Sequence, residues 1–258
     1  MDSGMMSFND GQIYYQTTGL GEPIVFIHGF SLNHNMWQPQ VEFFSNNYQV
    51  VTYDVRGFGK SSLPSGPYDH SSDLYALLDY LNIKQAHIVG LSMGGRIAIN
   101  FTLDHPKTVK TLTLMDSALD GYKTEVDWNV HAKKEGLKKA KENWLNHELF
   151  TVTKKQPKVL TALSSMVNNY SGWHWLNNDP QTPTKIHALN RLNEITQPTL
   201  ILVGNNDLTY FHNIADVLAK GITGSQKIIL PNAGHMINME ASDEVNSLLA
   251  DFIAKNNI

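Results

Sequence analysis

The chain of 258 residues contains no cysteine. That absence excludes disulfide bonds, thiolate metal sites and cysteine nucleophiles together. Arginine is also scarce, because Arg56, Arg96 and Arg191 are its only representatives. With a formal net charge of −4 and no long cluster of basic residues, the sequence does not indicate nucleic acid as a partner.

Long apolar runs are missing as well. No stretch approaches the roughly 18 apolar residues that a membrane helix needs, and residues 1–10 lack the apolar segment of a signal peptide. We therefore expect a cytoplasmic protein with no membrane partner. Hydrophobic residues nevertheless make up 41% of the chain and charged residues 17%. This composition supports a sizeable core, in one large domain with an insertion or at most two small domains.

Short apolar runs alternate with helical patterns along most of the chain. This alternation predicts a mostly parallel sheet that is covered by helices on both faces. Reactive groups gather at the carboxyl ends of the strands in such sheets. Strands are predicted at residues 12–16, 24–27, 49–53, 88–89, 109–115, 200–203 and 227–230, and helices at residues 37–44, 74–81, 97–103, 214–218 and 245–253.

One region breaks the alternation. Residues 119–191, called the cap segment below, show helical patterns and prolines but no strand of the parallel type. We expect a helical cap inserted over the carboxyl edge of the sheet, between core parts at residues 1–118 and 192–258. Four of the five tryptophans fall in this segment. They either form its small core or make an apolar roof over a substrate pocket.

Ser92 is the first candidate catalytic residue. It lies in Gly90-Leu91-Ser92-Met93-Gly94-Gly95, between a predicted strand and a predicted helix. Glycines on both sides of a serine allow the sharp turn that presents a nucleophile, and the helix N-terminus favours a developing negative charge. The motif alone is weak, because a chain of this length contains Gly-x-Ser-x-Gly by chance about one time in ten.

A serine hydroxyl needs a base and an orienting partner. Among eleven histidines, His235 is the candidate base because it lies in a loop after the last predicted strand. Asp207, just after the strand at residues 200–203, is the candidate orienting carboxylate. Asp116, which follows the strand at residues 109–115, is its rival. The order Ser92, Asp207, His235 is the one expected for a nucleophile on such a turn.

Two backbone amides would have to hold the oxyanion. We assign them to Met93, directly after the serine, and to Phe30, in the loop after residues 24–27. Gly29 is expected to permit the turn that aims the Phe30 amide, and His28 to brace the same loop. The candidate pocket residues are His28, Trp128, Trp144, Trp173, Trp175 and Met236.

These motifs together resemble those of the α/β-hydrolase superfamily, particularly small capped bacterial carboxylesterases and enol-lactonases. The resemblance covers nearly the whole chain and keeps the order and usual spacing of the family. It is carried by His28-Gly29-Phe30, by Asp54-Val55-Arg56-Gly57-Phe58-Gly59-Lys60-Ser61, by the Ser92 turn, by Gly204-Asn205-Asn206-Asp207 and by Gly234-His235.

The resemblance implies an eight-stranded α/β-hydrolase fold and a serine hydrolase that cleaves a small, largely apolar ester or lactone without a cofactor. It also implies that Asp54 and Arg56 brace a loop. Relatives with an aspartate nucleophile are disfavoured by Ser92. Carbon–carbon hydrolases carry Asn before the serine and Trp after the histidine, where this chain has Leu91 and Met236.

A carbon–carbon hydrolase and a non-catalytic ligand receptor on the same scaffold remain alternatives. Arg96, close to the serine, could contact a substrate carboxylate, but we expect it to form a surface ion pair. No ligand cluster with metal spacing appears in the sequence. The oligomeric state, monomer or homodimer, is left open.

Overall fold

A computed structural model describes residues 1–8, 10–123 and 129–256, with the side chains of residues 129–131 excepted. In this part of the chain, eight strands form one sheet in the order β1-β2-β4-β3-β5-β6-β7-β8. β1 and β2 are antiparallel to their neighbours, and the other pairs are parallel. The strands are β1 (Asp2–Phe8), β2 (Gly11–Thr18), β3 (Glu22–Ile27), β4 (Tyr48–Tyr53), β5 (Ala86–Leu91), β6 (Val109–Met115), β7 (Thr199–Gly204) and β8 (Gln226–Leu230).

The central strands are continuous apolar runs because helices cover both of their faces. Every residue of β5 and β7 is buried. β1 was not predicted from the sequence. It is an edge strand in which Met6 points into the core while most neighbouring residues stay exposed, so its composition resembles that of a polar terminus.

Helices connect the strands and cover the sheet. α2 begins at His70, earlier than predicted, because the Asp69 side chain accepts hydrogen bonds from the amides of Ser71 and Ser72 and caps the helix. The helices are α1 (Gln38–Phe44), α2 (His70–Tyr80), α3 (Met93–Asp104), α4 (Asn129–Glu135), α5 (Leu137–Asn146), α6 (Pro157–Asn169), α7 (Trp173–Leu176), α8 (Thr209–Gly221), α9 (Ile237–Glu240) and α10 (Ser242–Asn256). Within the described ranges, no helix has the length and apolar character to cross a bilayer.

The chain between β6 and β7 contributes α4 to α7, and its described residues add no strand to the sheet. Its side chains contact the loops that leave the carboxyl ends of other strands. Trp144 Nε1 donates to Ser31 Oγ at 2.7 Å, in the loop after β3. His174 stacks on Phe58, in the loop after β4, with ring centroids 4.4 Å apart. The cap segment therefore lies against the edge where the candidate site residues emerge.

Asp54 and Arg56 brace the loop after β4. The buried Asp54 carboxylate accepts hydrogen bonds from His34 N at 2.8 Å and Lys60 N at 2.8 Å. Arg56 donates twice to Asp73, at 2.7 and 2.8 Å. Because both charged groups are occupied by protein partners, they hold the loop and are not available to a substrate.

Candidate active site

Ser92 joins β5 to α3 in a strained conformation. Its φ is +56° and its ψ is −115°, a region that L-residues rarely occupy. Gly90 and Gly94 make the turn possible, because a Cβ on Gly90 would overlap the Gly94 carbonyl and a Cβ on Gly94 would overlap the Ile27 carbonyl. The Ser92 side chain is consequently presented at the carboxyl end of β5, where the residue remains partly exposed.

His235 and Asp207 form a hydrogen-bonded pair after β8 and β7. His235 Nδ1 lies 2.8 Å from Asp207 Oδ2, and both residues are buried. The second Asp207 oxygen accepts from Leu208 N at 2.7 Å. Glu240 Oε2 accepts from Gly234 N at 2.6 Å and ties down the histidine loop. The imidazole is thus held by one carboxylate, with Nε2 left for another partner.

Asp116 lies in the same cluster but has a different environment. Its Oδ1 accepts from Gly204 N at 2.9 Å, whereas its buried Oδ2 has no hydrogen-bond partner. Burial and the neighbouring Asp207 carboxylate raise the pKa of Asp116 well above its ordinary value. Both effects favour the protonated form of Asp116, and Asp207 is the carboxylate that contacts the imidazole.

Asp116, Asp207 and His235 offer ligand atoms within 4.8 Å of one another, which is a spacing that a metal ion could use. Within this cluster, His235 Nδ1 and Asp207 Oδ2 share a direct hydrogen bond of 2.8 Å. The cluster instead has the geometry of a charge-assisted hydrogen bond.

Ser92 is adjacent to this cluster through the backbone. The Ser92 amide donates to the carbonyl oxygen of Met115 at 3.0 Å. Met115 is the residue before Asp116. Among the described residues, the Ser92 hydroxyl and His235 make no hydrogen bond to each other. Catalytic hydrogen bonds are often long without substrate and shorten when it binds, so this arrangement remains compatible with proton transfer.

Two amides beside Ser92 are available for an oxyanion. In the described part of the chain, neither Phe30 N nor Met93 N donates to a protein acceptor. The expectation for Gly29 was wrong, because its backbone does not need positive φ and a Cβ there would make ordinary contacts. Ser31 instead takes the left-handed conformation, with φ of +63°.

His28 lies under this loop and is completely buried. Its Nε2 accepts from Val55 N at 2.9 Å, and its Nδ1 bonds to Gly29 O at 2.8 Å. With both ring nitrogens engaged, His28 braces the backbone and does not line the cavity, contrary to its place among the candidate pocket residues.

A cavity of about 200 Å³ lies beside the two free amides, since Phe30 and Met93 both line it. Trp175 is the one candidate pocket tryptophan among its lining residues. Trp144 is buried and packs against Phe30, and Trp173 flanks His174. Met236 is buried and does not line the cavity. The pocket prediction for Trp128 lies outside the described residues.

The polar lining of the cavity was missed by sequence reasoning except for Arg96, which was expected to form a surface ion pair. It consists of His70, Arg96, His174 and Asp179. The expected surface ion pair of Arg96 was wrong, because its guanidinium makes no ion pair or hydrogen bond to any other described residue. The histidines gave no signal in the sequence, since each lies far along the chain from Ser92 and is brought to it by packing.

Comparison with known proteins places this geometry in context. A family model described as the alpha/beta hydrolase fold matches residues 22–242. The 2-hydroxy-6-oxononadienedioate/2-hydroxy-6-oxononatrienedioate hydrolase of Paraburkholderia phymatum is 30% identical, over 95% of this chain and 91% of its own. The 3-oxoadipate enol-lactonase 1 of Acinetobacter baylyi is 27% identical, over 89% of this chain and 88% of its own.

A solved structure shows the same similarity. The enol-lactonase from Burkholderia xenovorans LB400 superposes with a TM-score of 0.86 at 25% identity, over 97% of this chain and 100% of its own. The similarity therefore covers the sheet and the cap segment together.

Proposed function

The chain belongs to the α/β-hydrolase family, and on that premise we propose that it is a serine hydrolase that cleaves a carboxylic ester or lactone through an acyl-enzyme. Ser92 is the nucleophile, His235 the general base and Asp207 the carboxylate that orients it. The amides of Phe30 and Met93 form the oxyanion hole. Esterase and lactonase relatives support ester hydrolysis as the reaction.

The reaction follows from these positions. His235 takes the proton of the Ser92 hydroxyl through Nε2 as the oxygen attacks the ester carbonyl. The Asp207 carboxylate stabilises the imidazolium that forms, and the two amides stabilise the oxyanion. His235 then gives its proton to the leaving alcohol. In the second half, His235 activates a water that releases the acid and regenerates Ser92.

One observation carries the proposal. Ser92 is held at φ of +56° at the carboxyl end of β5, beside amides that have no protein acceptor in the described part of the chain. The glycines on either side of the serine, Gly90 and Gly94, have no space for a side chain. A serine with only a structural role would not require such a turn. Backbone strain of this kind is typical of functional sites.

A hydrolase of 2-hydroxy-6-oxononadienedioate also appears among the similar proteins, and a carbon–carbon hydrolase is the second candidate function. The residues that flank the proposed catalytic groups favour ester hydrolysis. Carbon–carbon hydrolases carry Asn before the serine and Trp after the histidine, whereas this chain has Leu91 and Met236 at those positions.

Labelling with a fluorophosphonate probe tests the nucleophile, because only an activated serine reacts. We expect the wild type to be labelled at Ser92, as located by peptide mass spectrometry, and to hydrolyse p-nitrophenyl esters. Ser92→Ala should abolish labelling and reduce kcat/KM at least about 10³-fold. Ser247→Ala, on the exposed face of α10, is the matched control and should behave as the wild type. An unlabelled wild type would support a ligand receptor instead.

A further inference from the structure

The cavity beside the oxyanion hole contains a cation, Arg96, that makes no ion pair within the described part of the chain. Arg96 lies one turn along α3 from Ser92, since its amide donates to the Ser92 carbonyl at 3.1 Å. Its guanidinium has five donors and is always charged. In the described residues, none of these donors has an acceptor, although surface arginines of this chain such as Arg191 pair with carboxylates.

A second polar group with unmet bonding borders the same cavity. His70 is about 5% exposed, and its Nδ1 has no hydrogen-bond partner. Burial, followed by the positive charge of Arg96, lowers the pKa of His70 well below its usual range. The imidazole is therefore neutral. A buried polar atom without a partner costs free energy, and a ligand in the cavity that bonded to Nδ1 would offset this cost.

The remaining walls are aromatic. The Phe30 ring lies 5.9 Å from Trp175 and 5.9 Å from His174 between ring centroids. Aromatic walls with a few polar groups are typical of small-molecule sites. A volume of about 200 Å³ is below the roughly 300–1,000 Å³ of drug-sized sites, so the group that enters is small.

We propose that the substrate is a small ester or lactone that carries a carboxylate, which Arg96 binds and to which His70 contributes a second hydrogen bond. This inference rests on the proposed function and names the substrate class for it. It replaces the expectation of a largely apolar substrate. An arginine fork matches the two oxygens of a carboxylate, and the carbonyl would then lie over Ser92.

Asp179 is the competing charge in this cavity. Its carboxylate accepts from Tyr68 Oη at 3.2 Å and from Gln181 N at 3.1 Å, and it lies 3.9 Å from His174 Nε2. These contacts engage both Asp179 carboxylate oxygens, and within the described residues Asp179 forms no ion pair with Arg96. Removing its charge should therefore favour an anionic substrate further.

The test compares esters that differ only in charge. The first pair is monomethyl glutarate and methyl glutaramate, which place a carboxylate or a carboxamide on the acyl side. The second pair is acetoxyacetate and acetoxyacetamide, which place the same groups on the alcohol side. For each pair, the ratio of the two kcat/KM values measures charge preference. We expect the wild type to prefer the anion in one pair, which also identifies the side that binds.

Arg96→Gln should lower that ratio about 10- to 100-fold, as expected for a hydrogen-bonded charge, and Arg96→Lys should lower it less. Asp179→Asn should raise the ratio. Arg191→Gln is the matched control, because it removes an arginine whose partners are Glu194 and Asp104, and it should leave the ratio unchanged.

Binding without turnover gives an independent measurement. Titration of monomethyl glutarate or acetoxyacetate into Ser92→Ala, followed by calorimetry, should show an affinity that the added Arg96→Gln change weakens. A ratio near one in the wild type, or a ratio that Arg96→Gln does not alter, would overturn the carboxylate site while the proposed ester hydrolysis stands. Failure to hydrolyse any of the esters, together with absence of fluorophosphonate labelling, would overturn the proposed function itself.

Discussion

The two sides of the candidate site are built differently. On the strand-end side, Ser92, Asp207 and His235 come one, three and five residues after the ends of β5, β7 and β8, and backbone contacts limit where each side chain points. On the cavity side, His70, Arg96 and His174 come from helices, and side-chain packing positions them. The first side has little tolerance for change. On the cavity side, single side chains can be exchanged without disturbing the backbone. We therefore expect this side to determine which substrate is accepted.

The predictions below separate these two sides. Changes on the strand-end side should remove activity or folding, whereas changes on the cavity side should alter stability, pH response or preference by smaller amounts.

The largest contrast is expected between the two aspartates at the sheet edge. Asp207→Asn should reduce kcat/KM about 10²- to 10⁴-fold, because the amide neither stabilises the imidazolium nor fixes the tautomer of His235. Asp116→Asn should lower kcat/KM less than about 10-fold, since Asp207 and not Asp116 bonds to the imidazole and a carboxamide keeps the shape of the carboxyl group. Both are measured with a p-nitrophenyl ester. Equal losses in the two variants would show that the site uses the aspartates as a unit.

A methyl group at Gly94 should destabilise the fold by roughly 3 kcal/mol, at the upper end of overpacking effects. The added Cβ of Gly94→Ala would overlap the Ile27 carbonyl oxygen. For a chain of this size the change corresponds to a Tm about 6–12 °C lower, as measured by circular dichroism. Gly66→Ala is the control, because a Cβ there meets no atom within 4 Å. A normal Tm for Gly94→Ala would contradict the close packing under the serine turn.

The pH response of stability should depend on His174. Burial lowers the pKa of His174 to about 4, below the ordinary value of 6.5. The unfolded chain therefore binds a proton that the folded state does not, and stability contributed by the neutral ring is lost as the pH falls from about 6.5 to about 4. At pH 5 the loss is about 2 kcal/mol.

His174→Phe should reduce this loss and keep the stacking on Phe58. The measurement is the free energy of unfolding in urea at pH 5, 6, 7, 7.5 and 8.5. Between pH 7.5 and 8.5 the difference between wild type and variant should be flat, which is the internal control. An identical slope between pH 5 and 7 for both proteins would rule out this role of His174.

The smallest effect is expected at the contact between the cap segment and the oxyanion loop. Trp144→Phe keeps an aromatic ring but removes the hydrogen bond from Nε1 to Ser31 Oγ, which should cost about 1 kcal/mol. Trp173→Phe serves as the comparison, because the Trp173 ring is partly exposed and its indole makes no hydrogen bond among the described residues. Equal stability of the two variants would mean that this hydrogen bond does not anchor the loop.

The parallel strands could be predicted because their signal is local. β6 was placed at its observed bounds, Val109–Met115, since a strand buried on both faces is a continuous apolar run. β1 was missed because only Met6 of its residues is buried. The start of α2 was predicted four residues late, because the prediction rested on apolar spacing and not on the cap at Asp69.

For the site, the sequence indicated which residue types follow which strands. It did not indicate which side chains those residues contact in the folded protein. It favoured Asp207 over Asp116 on the expected order Ser92, Asp207, His235, although each aspartate follows a strand at the same sheet edge. Their difference is the contact of Asp207 with His235 and the orphan oxygen of Asp116. Arg96 was assigned to the surface for the same reason, since the groups around it come from distant parts of the chain.

By itself, the amino-acid order determined the parallel core and the need for glycine around Ser92, because strand burial and a tight turn leave their marks within a few consecutive residues. Only the tertiary structure decided that Arg96 and His70 share a cavity with the oxyanion loop. That proximity arises from the packing of α2, α3 and the cap segment, and long-range packing has no local pattern in the sequence.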